Sequence, residues 1–186
     1  GECNACMHCI VAAPTAGACG VLPAGLLPYG SRYDLSDDAL IKALYVASGF
    51  GAVIAQRASI SGAEAGCQAE IGTAAAMAAA ALVYLHGGSA VQMANAAAMA
   101  LKNMMGLVCD PVAGLVEVPC IKRNAAGAMN ALCAAEMALA GIESRIPPDE
   151  VIDTMAAVGA ALPSSLRETG MGGIAASPTA VKFREE

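Results

Sequence analysis

Apolar residues run in long stretches punctuated by Gly, Pro and short polar caps, and the stretches have helical length. Residues 1–30, rich in Gly, Pro and Cys, predict loop plus a short helix. Ser36-Asp37-Asp38 is a helix start, with Ser36 as N-cap and two acids in the first turn. That helix should reach about Arg57 and turn Leu40, Ile41, Leu44 and Tyr45 inward. Residues 57–62 read as a turn. An Ala-rich helix from about Ala63 or Gly66 to Leu85 follows, stopped by Gly87-Gly88. Ser89 caps the next helix, to about Met105, and residues 107–120 form a loop with two Pro and one Gly. Asn124 is the expected cap of a helix to Ala140, and Pro147-Pro148-Asp149-Glu150 opens another through Ala161. The tail from Gly170 is Gly-rich, then charged. The expected fold class is all-α: a single Ala-rich helical domain, residues 1–186, with no linker and no repeat of 20 to 50 residues.

Composition narrows the function. The 186 residues are 57% hydrophobic but only 3% aromatic, without Trp, so most of the apolar mass is Ala and aliphatic. A net charge of −6 and only 10 basic residues, without a basic block, argue against a nucleic-acid surface. Mean hydropathy is +0.58, which raises a membrane reading. The clean apolar part of the longest uncharged stretch, 71–85, is shorter than a span needs and has no flanking Trp, Tyr, Lys or Arg belt. The start, Gly1-Glu2-Cys3, does not resemble a signal peptide. The expected setting is cytoplasmic, with no membrane partner.

Eight Cys then need an explanation. In an apolar chain without an export signal, metal ligands or core thiols are expected before disulfides. Cys3-x2-Cys6-x2-Cys9 has the spacing with which ferredoxins open, but lacks the nearby fourth Cys followed by Pro; Cys19 is ten residues on. The same spacing lines up buried thiols on one helical face. Cys67, Cys109 and Cys120 lie 42 and 11 residues apart, so no local rule links them. Their settings do: Cys67 stands at or near a helix start, and Cys109 and Cys120 share one Pro/Gly loop. A helix N-terminus favours thiolate and thus metal ligation. Cys133, inside an Ala-rich helix, is the pattern of an ordinary buried thiol. On the residues alone, both triplets remain candidates.

The stretches Ala13-Pro-Thr-Ala-Gly17, Ser59-Ile-Ser-Gly-Ala-Glu-Ala-Gly-Cys-Gln68, Gly106-Leu-Val-Cys-Asp-Pro-Val-Ala-Gly-Leu-Val-Glu-Val-Pro-Cys-Ile-Lys-Arg-Asn124 and Arg167-Glu-Thr-Gly170 closely resemble the alpha chain of bacterial iron–sulfur L-serine dehydratases. The likeness runs from about Glu2 to Thr179. It implies a [4Fe-4S] cluster on Cys67, Cys109 and Cys120, and members do not usually show the Cys3, Cys6, Cys9 row. It further implies that 1–186 is the C-terminal major part of the alpha domain, with roughly a hundred residues ahead of Glu2 in the family. A separate beta chain supplies further active-site residues, including a Ser-His motif that does not occur here. Two departures stand out. Ala13 replaces the family's Thr, and the chain ends Phe183-Arg-Glu-Glu186 where single-chain members end in a Cys that caps the cluster.

Three thiolates leave one iron open, and an open position suits a Lewis acid. The chemistry implied by resemblance is dehydration and deamination of L-serine to pyruvate and ammonia, the iron polarising the departing hydroxyl. The implied partners are the beta chain and L-serine, with a homo-oligomer left open. Candidate substrate contacts are Thr15, Ala16 and Gly17, which offer a hydroxyl and close backbone approach; Ser59 and Ser61, equally good as helix caps; Gln68, beside the cluster Cys, with Glu70, either of them equally a helix-surface residue; and Arg123 and Asn124, for the carboxylate. No catalytic base stands out. His86 suits a helix C-terminus, and His8, near the Pro-Thr motif, is a weak candidate. The base is expected outside this chain. Rival readings are a related cluster lyase such as an L-cysteine desulfidase, an electron carrier using Cys3, Cys6 and Cys9, and a non-catalytic helical subunit with free thiols.

Overall fold

The computed structural model describes residues 2–115 and 118–185. Val116 and Glu117, inside the expected cluster loop, lie outside the described residues. The elements are helices α1 (Glu2–Ala5), α2 (Val21–Arg32), α3 (Asp37–Arg57), α4 (Gly62–Ala65), α5 (Thr73–Leu85), α6 (Ala90–Asn103), α7 (Cys120–Leu139), α8 (Pro148–Ala161) and α9 (Pro178–Glu185). A π-helical segment, Gln68–Gly72, leads into α5, and 3-10 turns stand at Val112–Gly114, Ser164–Leu166 and Gly173–Ala176. The all-α expectation holds: among the described residues the only strand-like pairing is an isolated parallel bridge between Cys109 and Arg167.

Caps explain the boundaries. Ser36 Oγ accepts from the Ala39 amide at the start of α3. Ser89 and Gln92 form a reciprocal capping box at the start of α6. Gly87, at φ 75, turns the chain out of α5.

Helix α5 is the axis of the fold. Every residue from Thr73 to Val83 is buried, because α2, α3, α6 and α7 all pack against it. A helix covered on every side is apolar all round, and Ala lets four neighbours approach closely. Gly51 on α3 shows how closely: a Cβ there would stand 2.8 Å from Met77 Sδ. Together with its π segment, α5 makes an 18-residue run, Gln68–Leu85, long and apolar enough to cross a membrane, as is Asp37–Arg57. The sequence had placed the apolar stretch below that length. Packing accounts for its composition, since 83% of the Gln68–Leu85 window is buried inside the fold.

Several expectations change. Helix α3 buries Ala43, Ala47, Gly51 and Ile54, whereas Ile41, Leu44 and Tyr45 are exposed. The small residues face α5 because only they fit against its Ala surface. Leu40 and Leu44, with Leu22 and Leu26 of α2, line an apolar cavity of about 490 Å³. Helix α2, with Pro28 inside it, is longer than the short helix expected. Helix α7 begins at Cys120, so Asn124 is a buried residue in its first turns rather than its cap. Cys133 is exposed, and so are Cys3, Cys6 and Cys9, so the first triplet does not pack as core thiols.

Candidate metal centre

Cys67, Cys109 and Cys120 come together. Their residues are 0%, 2% and 4% exposed, and the Cys67 and Cys120 Sγ atoms are 3.9 Å apart. The ligand atoms of Cys67, Glu70 and Cys109 all lie within 4.8 Å of one another.

Three separate devices bring the thiols to one point. Gly66, at φ 77, ends α4 and sets Cys67 at the entry to the π segment. A Cβ on Gly66 would meet the Leu107 carbonyl at 2.7 Å. A π turn so placed aims side chains that a regular helix would not, and such turns are frequent at functional sites. Gln68, fully buried, then fastens this segment to the next. Its backbone amide donates to the Leu107 carbonyl and its Oε1 accepts from the Gly106 amide at 2.8 Å. Its Nε2 donates to the carbonyls of Ala65 and Met155.

The second device holds Cys109. Its amide donates to the Leu166 carbonyl and its carbonyl accepts from the Glu168 amide at 2.7 Å. Glu168 takes φ 62 to make that contact, a left-handed conformation uncommon outside Gly. The next residue, Asp110, is buried; its Oδ2 accepts from the Ile174 amide, and its Oδ1 faces the Arg123 guanidinium at 2.9 Å as an ion pair without an aligned hydrogen bond.

The third device is Asn124. Its Nδ2 donates to the carbonyls of Gly17 and Cys120, at 2.7 and 2.8 Å, and its Oδ1 accepts from the Gly20 amide. One side chain thus ties the 13–20 segment to the start of α7, where Cys120 stands.

The resulting cavity, about 470 Å³, is lined by Ala16, Gly17, Glu70, Cys109, Pro111, Gly114, Cys120 and Glu168. Its electrostatics are one-sided. Hydrogen bonds from Cys109 and Cys120 pull the Cys67 thiol well below its usual range, with Arg123 helping. The same bonds, then burial, push Cys109 and Cys120 up. Arg123 keeps its charge because Cys67 and Asp110 outweigh its burial. Glu70 is pushed up by burial, against the Thr15 hydroxyl, and further by Cys67 and Glu168.

The expected substrate contacts divide. Ala16 and Gly17 line the cavity, and Thr15 Oγ1 donates to Glu70 Oε1 at 2.7 Å. Gln68 and Asn124 have their polar atoms engaged inside the protein, and Arg123 also donates to the Val108 carbonyl. Ser59 Oγ donates to Glu64 and accepts from the Ser61 amide; the Ser61 side chain makes no cap bond. His8 is exposed and outside the cavity lining. His86 closes α5, its Nδ1 2.9 Å from the Leu82 carbonyl and its ring against Tyr29.

Sequence reasoning undervalued two acids. Glu70 sits three residues after Cys67, a spacing that shares a helical face, so it carried a signal. Glu168 carried none beyond its place in the Arg167-Glu-Thr-Gly170 motif, since only the tertiary fold brings it to Cys109.

The model of the serine dehydratase alpha chain family matches residues 1–175. The chain belongs to that family. It is 58% identical over 178 residues to the probable L-serine dehydratase alpha chain of Bacillus subtilis, covering 96% of this chain and 59% of that one. It is 55% identical over 183 residues to the corresponding protein of Latilactobacillus sakei, covering 98% of this chain and 88% of the relative. Against the L-serine dehydratase alpha chain of Peptoniphilus asaccharolyticus the identity is 49%, over 100% of this chain and 63% of the relative. The chain thus spans less than two thirds of the length of two of these three relatives. In this family member the thiols of the second triplet are far apart in sequence and adjacent in space.

Proposed function

We propose that this chain carries the cluster-binding part of an L-serine ammonia-lyase, which turns L-serine into pyruvate and ammonia with a partner beta chain. The observation that carries the reading is the convergence of three buried thiols, from three unconnected elements, on the wall of one cavity. Buried apolar thiols have no structural need to meet. The donor set also suits a polynuclear cation. Three thiols packed this closely can all ionise when a cluster supplies the compensating positive charge, and three thiolates are the protein ligands expected for a [4Fe-4S] site with one iron free. When bound, such a cluster supplies a Lewis-acid iron for the leaving hydroxyl.

This chain's own residues do the rest of the positioning. Gln68 and Asn124 fix the spacing of the three thiols. The Asp110–Arg123 pair stiffens the loop between Cys109 and α7, and Arg123 lends positive charge beside Cys67. Ala16 and Gly17 present small side chains and an accessible backbone to a carboxylate entering the cavity. Arg123 and Asn124 serve the site by positioning, not by touching substrate. Without a persuasive base in the cavity, the proton at Cα is left to the beta chain.

The reading is tested by anaerobic reconstitution with ferrous iron and sulfide. About four irons and four sulfides per chain are expected, with pyruvate release from L-serine only when the beta chain is present. Protein that takes up neither iron nor sulfide overturns the cluster. Release from L-cysteine in preference to L-serine overturns the substrate.

A further inference from the structure

Glu70 is held where an exposed helix acid would not be. It follows Cys67 by one turn, on the π segment, and its carboxylate lies within 4.8 Å of the sulfurs of both Cys67 and Cys109. The fold clears space for it on two sides. A Cβ on Gly62 would stand 2.7 Å from Glu70 Oε2 and 3.0 Å from Cys109 Sγ, and a Cβ on Gly17 would stand 3.3 Å from Glu70 Oε1. Two glycines from unconnected segments thus shape one slot around the carboxylate. The Thr15 hydroxyl donates to Oε1 at 2.7 Å, which fixes the rotation of the group, and Oε2 and the Cys109 sulfur both border the space beside Gly62.

A carboxylate that is oriented by a hydroxyl and grouped with thiolates is arranged as a metal-bound one is: ligating carboxylates are themselves hydrogen-bonded, and that outer partner sets their aim. Oxygen is also a harder donor than sulfur and exchanges with other oxygen ligands, whereas thiolate holds iron firmly. We infer that Glu70 is an exchangeable oxygen ligand for the iron that Cys67, Cys109 and Cys120 leave uncovered, and that Thr15 is its positioning residue rather than a substrate contact. Glu70 donates a lone pair from its carboxylate and no electron is transferred. Glu70 would hold that iron on the protein when no substrate oxygen is there to do so, and would give way to one. The inference rests on the cluster reading above.

The test follows the fourth iron, not turnover. The complete protein is reconstituted without oxygen, then exposed to a limited oxidant while iron content and the electron paramagnetic resonance signal of a three-iron cluster are recorded. Glu70→Gln should lose the fourth iron on the order of 100-fold faster than wild type, and Thr15→Val about tenfold faster, the range expected when a ligand or its outer partner is removed. Glu70→Asp, which keeps the carboxylate but shortens its reach, should lose the iron at a rate between those of wild type and Glu70→Gln. Helical circular dichroism and the thiolate-to-iron absorption confirm that each variant is folded and loaded. If wild type binds four irons and Glu70→Gln keeps the fourth equally well, Glu70 is not a ligand and the cluster reading survives. If wild type binds no cluster, both readings fall together.

Discussion

The two cysteine triplets of this chain are opposites. Cys3, Cys6 and Cys9 have a regular spacing that any motif search would find, yet all three are exposed, and α1, on which they would share a face, is only four residues long. Cys67, Cys109 and Cys120 have no regular spacing, yet they are buried and adjacent. The difference teaches where a metal site's information resides. Local spacing sets a side-chain direction, but holding three thiols within reach of one cluster takes fixed backbone on all sides. Here Gln68, Asn124 and the Cys109–Glu168 contact provide it. Among the described residues the N-terminal row has no comparable brace: Asn4 Nδ2 bonds the Ala16 carbonyl and approaches Cys19 Sγ at 3.9 Å.

The strongest way to break this contrast is to remove one thiol at a time. Cys67→Ala, Cys109→Ala or Cys120→Ala should each abolish the charge-transfer absorption near ~400 nm expected of thiolate-bound iron, and Cys6→Ala should leave it intact. The opposite pattern transfers the site to the N-terminal row. Next in size is reactivity. On metal-free protein, iodoacetamide followed by mass spectrometry should modify Cys3, Cys6, Cys9 and Cys133 first. The buried three should trail by on the order of 100-fold, since each must wait for local opening. Equal rates across both sets would mean that the buried triplet is not closed.

Two smaller effects sharpen the role of the braces. Asn124→Ala removes three hydrogen bonds and leaves the Gly17, Gly20 and Cys120 backbone groups without this partner. It should cost about 2–3 kcal/mol in urea denaturation, together with a weaker hold on iron. Gly62→Ala pushes a methyl against Glu70 and Cys109 and should cost about 1–3 kcal/mol, as overpacking does. The smallest change is expected at the other triplet. Cys6→Ser, at an exposed position, should alter stability by less than about 0.5 kcal/mol. A larger loss there would reveal a brace that the contact pattern does not contain.

Much of the fold was legible beforehand because it is written locally. Ser36 and Ser89 bond amides three residues away, and Gly87 turns the chain on its own φ preference, so these boundaries need no tertiary partner. The facing of α3 was misread for the opposite reason. Size rather than hydrophobicity chose its buried side, and that choice is made by α5, another element. The extra turn at the start of α7 is of the same kind: Asn124 looks like a cap by type, but Gly17 and Gly20 claim its side chain and the helix begins at Cys120.

By itself, the sequence determined the helical class, the Ala-rich interior, most helix limits and the family. Those properties follow from residue type, from neighbours within one turn, and from motif stretches that can be matched in order. Tertiary structure alone decided that the thiols meet, that Arg123 pairs with Asp110, that Gln68 and Asn124 are braces, and that Glu70 and Glu168 stand on the cavity wall. These rest on contacts between residues as far as 107 positions apart. No local preference encodes such a contact; it exists only because packing α2, α3, α6 and α7 around one apolar axis fixes where the connecting loops must lie.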